Sequence, residues 1–167
     1  MAEPRATQAH DFPMTNPVFD RGLLEQPVLR VCSNQLFDAR GQPIGRIHSH
    51  AVCWPWNWCW PTTWTIHELE QQPLVFSLQR PWSVVLRWEV RDADNRLVGR
   101  ISHQLAWDRQ EVEVVRLDAR QVFRSREEAE LGTIVGPCLQ FGPVTIGQPF
   151  LRMLMLAILL RREQQGA

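Results

Sequence analysis

The sequence predicts an all-β fold, an antiparallel barrel-like sheet plugged by one hydrophobic C-terminal α-helix, and three observations lead there. Residues 150–160 read Phe-Leu-Arg-Met-Leu-Met-Leu-Ala-Ile-Leu-Leu, apolar on every face except at Arg152, so a helix there has no wet side and must be enclosed. Much of the chain before it alternates apolar and polar residues with the period of a half-buried strand. Two of those stretches are copies of one another: Asp38-Ala-Arg-Gly-Gln-Pro-Ile-Gly-Arg-Ile47 aligns without a gap on Asp92-Ala-Asp-Asn-Arg-Leu-Val-Gly-Arg-Ile101. That is an internal repeat of one supersecondary unit.

Composition sets the outer bounds. A chain of 167 residues holds one domain with a sizeable core. Its formal net charge is zero at pH 7, so bulk electrostatics recruits neither nucleic acid nor an acidic membrane, and any attraction has to be local. All eighteen basic residues are arginine, scattered rather than blocked into a patch, which reads as compositional habit more than as a binding site. Residues 1–28 are polar, interrupted by Pro4, Pro13, Pro17 and Pro27, and lack a charged start followed by an apolar run. They read as a flexible leader without a secretory signal, and the expected compartment is the cytoplasm. The barrel domain is expected over residues 29–163, with its helix at 149–162 and a short tail at 164–167.

In chain order, residues 31–37 and 42–47 form a hairpin around Asp38-Ala-Arg-Gly41. Aspartate bonds backbone two residues on, and Gly41, like Asn95 in the second copy, takes the left-handed conformation a tight turn needs. Gly45 and Gly99 fall inside strands, where a bulge or a close neighbour is the usual reason. Trp64 and Ile66 face Leu74, Phe76 and Leu78 across a turn at residues 70–73. In the strand before the second copy, Leu86, Trp88 and Val90 share an apolar face, leaving Arg87, Glu89 and Arg91 on a wet one. Val112 and Val114 alternate with Glu111 and Glu113, residues 125–128 suggest a short helical turn, and residues 129–136 and 138–146 read as two more strands. Roughly nine to twelve strands precede the helix. Pro149 suits the helix's first turn and Arg161-Arg162 its C-terminus. Its length of about 17–21 Å falls short of the ~30 Å of a bilayer core, so a buried core helix is expected rather than a membrane span.

The candidate sites are few. In Cys53-Trp-Pro-Trp-Asn-Trp-Cys-Trp60 an extended backbone puts Trp54, Trp56, Trp58 and Trp60 on one face. Such a row either packs over an open end or seam of the barrel, meets a protein partner or a stacked ligand, or wedges into a membrane interface, where indole's apolar body and polar N–H both fit. His48, His50, Cys53 and Cys59 offer four ligands within a short stretch, the number that zinc takes, although the spacing is of no familiar finger. Arg152, the one charge in the apolar run, either reaches out through the barrel mouth, pairs with an acid, or holds a lipid phosphate. No nucleophile elbow, phosphate-binding glycine loop or His-Glu-x-x-His is present, so no enzymatic activity is expected.

Phe37-Asp38-Ala-Arg-Gly41-Gln-Pro-Ile-Gly45, Val90-Arg-Asp92-Ala-Asp-Asn95-Arg-Leu-Val-Gly99 and the helix at 150–160 resemble the Tubby C-terminal-like superfamily, in particular its phospholipid-scramblase and LURP-one-related branch. The resemblance covers most of residues 30–162. It implies a closed antiparallel barrel of about twelve strands, built from two related halves around the helix. It also implies a lipid-facing module, since tubby-type members bind phosphoinositides and scramblase members are associated with calcium-dependent lipid movement. A phospholipid or membrane surface is then the expected partner, with Trp54, Trp56, Trp58, Trp60 and Arg152 as contacts, and Cys53 and Cys59 would be open to palmitoylation. Calcium transfers poorly: residues 141–147, where scramblases carry an acidic segment, hold no acid, and Asp92-Ala-Asp94-Asn95 lacks the glycine and glutamate that complete an EF-hand loop. The alternatives are a soluble interaction or structural domain and a small metal-binding protein.

Overall fold

A computed structural model describes residues 22–50, 62–69, 73–81, 87–101, 112–117, 120–125 and 127–165. Among these residues eleven strands form one antiparallel sheet: β1 (Val28–Cys32), β2 (Gln35–Phe37), β3 (Pro43–His50), β4 (Thr62–Glu68), β5 (Leu74–Arg80), β6 (Trp88–Asp92), β7 (Leu97–Ile101), β8 (Val112–Leu117), β9 (Arg120–Ser125), β10 (Glu130–Val135) and β11 (Cys138–Phe141). Their spatial order is β7-β6-β5-β4-β3-β2-β1-β11-β10-β9-β8. Nearly every neighbour is the next strand in sequence; the exception is β1 with β11, which brings the two ends of the meander together. The all-β expectation with one C-terminal helix holds. Strand β11 ends sooner than expected, because Gly142-Pro143 breaks the ladder and the chain turns into a 3-10 segment at Pro143–Thr145.

The helix α1 (Pro149–Gln165) runs three residues further than the sequence suggested. Residues 151–160 are buried on every face, and α1 packs against β6 and β7 at one edge of the sheet and against β11 beyond its middle. A flat sheet cannot touch one helix at both places, so the sheet curls around it. Inward residues of the strands complete the core, among them Leu29, Leu36, Ile66, Phe76, Leu78, Val90, Phe123, Ile134 and Leu139. Each such side chain stabilises by about 1.5–3 kcal/mol relative to exposure, which outweighs the weak strand preference of any one segment.

The internal repeat is a repeat of geometry, and it has a third member. In β2–β3, Asp38 N–H donates to Gln42 O, Gly41 N–H donates to Asp38 O, and Gly41 has φ +77°. In β6–β7, Asp92 and Asn95 make the corresponding bonds, with Asn95 at φ 62°. The ladder slips after Leu36 in one hairpin and after Val90 in the other, and Gly45 and Gly99 stand opposite those two residues. Residues 125–128 are not a helical turn: Ser125 N–H donates to Ala129 O, Glu128 N–H donates to Ser125 O, and Glu128 has φ 59°. The β9–β10 ladder slips between Glu130 and Gly132, with Gly132 opposite Phe123. Ser125, Glu128 and Gly132 thus repeat the places of Asp38, Gly41 and Gly45. The last of the three glycines is needed for space, because a Cβ on Gly132 would meet Met155 Cε and lie 2.5 Å from Gln140 O.

Candidate functional site

The aspartates of the repeat serve their turns. Asp38 Oδ1 accepts the N–H groups of Arg40 and Gln42, both at 2.8 Å, and Asp92 Oδ1 accepts Arg96 N–H at 2.8 Å. Asp94 sits 3.6 Å from the Arg96 guanidinium. Among the described residues no group of three or more His, Cys, Asp or Glu is placed to hold a metal. His48 and His50 share the outer face of β3 and are exposed, as the strand period requires, and the His48 ring meets His67 edge-on at 5.3 Å. Cys53, Cys59 and the row Trp54, Trp56, Trp58 and Trp60 lie outside the described residues.

Strand direction divides the candidates between two ends of the sheet. The three repeated turns close one end, here called the turn end. Strand β1 starts there, after a 3-10 turn at Leu23–Glu25, and β11 finishes there. Because α1 follows β11 and is enclosed, it enters at the turn end and carries Arg161 and Arg162 toward the opposite, exit end. The last residue of β3, His50, and the first of β4, Thr62, which bound the tryptophan row, lie at the exit end, paired as His50 with Thr63 and Thr62 with Arg80.

Arg152 belongs to the turn end and faces inward. It is only 6% exposed. Its Nε donates to Thr145 O at 3.1 Å and Thr145 Oγ1 at 3.2 Å, and its Nη1 donates to Leu24 O and, at 3.5 Å, to Gln26 O. The guanidinium lies 4.7 Å from the centre of the Phe141 ring. Burial lowers its pKa below the ordinary arginine value, against a smaller raising effect from Glu25. Arg152 therefore ties the helix to the segment before β1, at the end opposite to His50 and Thr62.

Charge is distributed unequally between these ends although the whole chain is neutral. Among the described residues, the turns of the turn end carry Asp38, Asp92, Asp94, Glu127 and Glu128 against Arg40 and Arg96. Among the described residues at the exit end, Arg80 closes β5, Arg87 precedes β6, Arg120 opens β9, and Arg161 and Arg162 close the apolar run of α1, against Glu89 and Glu163. Glu89 is already committed. It lies on the outward face of β6, yet is only 8% exposed, so the wet face expected for that strand is not wet here. Arg91 Nη2 reaches Glu89 Oε2 at 2.8 Å and Arg100 Nε reaches its Oε1 at 3.4 Å. Burial works against the charged carboxylate, but the hydrogen bonds and charges of Arg91 and then Arg100 outweigh it and hold the pKa below the ordinary value. Arg87 Nε, Arg91 Nε and Arg162 Nη1 are buried atoms with no hydrogen-bond partner. Sequence reasoning passed over Arg87, Arg120 and Arg162 because only strand direction assembles them at one end.

Other features separate the ends. Val144, Ile146 and Phe150 are 48%, 72% and 56% exposed where the chain enters the helix, an apolar cluster at the turn end. No helix among the described residues is long and apolar enough to cross a membrane. The architecture is that of an antiparallel meander wound on a buried helix; comparison of the chain with protein-family models, curated proteins and solved structures gives no match.

Proposed function

We propose that this chain is a non-enzymatic, scramblase-like or Tubby-like module that binds phospholipid and attaches peripherally to a membrane. The observation that carries the reading is the location of the tryptophan row's anchors: His50 and Thr62 open toward the end of the sheet where Arg161 and Arg162 emerge. Indole suits the headgroup layer, where apolar bodies, polar N–H groups and phosphates meet, and arginine suits its phosphates. The barrel completes the same reading. Ten successive antiparallel pairings leave edge strands β7 and β8 running the same way, so an antiparallel closure takes one further strand between them. A closed barrel has no free edge to pair with other chains, leaving its ends as the contact surfaces.

Vesicle flotation of the purified protein on neutral and anionic liposomes, with and without calcium, tests this while tryptophan emission is followed. Flotation with a blue shift that is lost on changing Trp54 and Trp58 to Ser supports the reading. Absence of flotation under every condition rejects it. In that event Val144, Ile146 and Phe150 favour the second reading, a module that meets a protein partner through the turn end, since clustered exposed apolar side chains mark contact sites.

A further inference from the structure

We propose that the exit end is the face that docks, and that its partner is specifically an anionic phospholipid surface recognised through Arg87 and Arg162, with Arg120 adding to the field at the same end. The inference rests on the membrane reading above and adds to it an orientation, a lipid charge and named residues.

The first argument is charge complementarity. Arginine gathers at the ends of β5, β9 and α1 and before β6, whereas the opposite turns are rich in aspartate and glutamate. A neutral molecule with this polarity feels little net force from an anionic surface but a strong torque, which presents the arginine end and turns the acidic end away. The second argument is the state of the individual side chains. Arg91 and Arg100 are engaged by Glu89, and Arg80 donates to Thr62 Oγ1 at 3.3 Å and lies over the Trp88 ring. Arg87 Nε and Arg162 Nη1 are buried N–H groups without a hydrogen-bond partner, as is Arg91 Nε, whose Nη2 Glu89 already holds. An unsatisfied buried donor is costly, and phosphate oxygens are the acceptors that guanidinium matches best. The third argument is exclusion: Arg152 does not contribute, because it is buried at the turn end and its Nε and Nη1 are taken by Thr145, Leu24 and Gln26.

The test compares two charge-matched double variants of the full chain on phosphatidylserine-containing vesicles and on phosphatidylcholine alone. Arg87→Gln with Arg162→Gln removes two cations from the exit end; Arg40→Gln with Arg96→Gln removes two from the turn end. An arginine near an anionic leaflet changes binding by about fivefold, so the first pair should weaken binding to anionic vesicles by roughly thirtyfold, and the second by less than about twofold. Arg120→Gln, an exposed change at the exit end, should cost up to about fivefold and serves as the test if the first pair does not fold. Equal losses for both pairs, a larger loss for the turn-end pair, or equal binding to both lipids overturns this inference while leaving the membrane reading intact. Failure of the unmodified chain to bind any vesicle overturns both.

Discussion

Replacing Arg152 by methionine keeps an unbranched side chain of similar length and deletes the donors that hold the helix entrance to the segment before β1. Thr145 is fully buried, so its carbonyl has no water to turn to, and Leu24 O loses its guanidinium partner as well. Hydrogen bonds to a charged group contribute about 1.5–3 kcal/mol each, and two such bonds give about 3–6 kcal/mol. The cation over Phe141 adds about 1 kcal/mol. Methionine returns part of this, because a buried charge is no longer desolvated; the lowered arginine pKa has that origin, and the relief is on the order of 1–3 kcal/mol. The net loss is about 3 kcal/mol, a large share of the ~5–15 kcal/mol that domains possess. Urea denaturation followed by tryptophan emission should show the midpoint falling by about 1.5–2 M with the slope unchanged. A variant within about 0.5 kcal/mol of the parent would mean that Arg152 does not fasten the helix, and the reasoning from its inward hydrogen bonds would fail.

Three further outcomes follow from the same geometry. Leu156→Asp places a charge at a fully buried helix position and should cost more than about 5 kcal/mol, leaving a chain without native circular dichroism; a folded variant that only loses membrane attachment would make α1 an external anchor. Gly132→Ala sets a Cβ against the Gln140 carbonyl, which cannot move out of the ladder, while Gly45→Ala meets His67 O at 3.0 Å and otherwise flexible leucine side-chain ends; the first should lose about 2–3 kcal/mol and the second about 1 kcal/mol in urea unfolding, and a reversed order would contradict the packing described. Glu89 has a folded pKa below its ordinary value of 4.5, so its contribution is complete above that pH and is lost as pH falls through the folded value. The stability gap between the parent and Glu89→Gln, about 1 kcal/mol at neutral pH because the arginine partners remain partly hydrated, should therefore close in acid below about pH 4.5; a gap independent of pH would remove the ion-pair account.

How much of this was legible beforehand depended on whether a signal was local. Residues 150–160 announced a buried helix because ten apolar side chains leave no face for water. The Asp38 and Asp92 hairpins were readable because turn chemistry is written in the turn residues. The Ser125 hairpin uses the same backbone with Ser in place of Asp and Glu128 in the left-handed position that Gly41 and Asn95 occupy, and its identity appears only in the hydrogen bonds. Arg152 as a lone charge in an apolar helix gave no direction, since a long side chain can snorkel outward or turn inward; among the carbonyls that decide it, those of Leu24 and Gln26 are distant in sequence. Glu89 looked solvent-facing by alternation, and the arginines that enclose it lie on its own strand and the next. The exit-end arginines were invisible for a different reason: a neutral, scattered composition becomes polar only after each strand is given a direction.

Hydrogen exchange of the full chain with and without phosphatidylserine-containing vesicles tests the account at its centre, because it reads membrane contact and orientation together. The account predicts slowed exchange in peptides containing Arg80, Arg87, Arg120 and Arg162, with the turns at 38–41, 92–95 and 125–128 unchanged. Protection confined to those turns and to residues 143–150, or no protection anywhere, would contradict it.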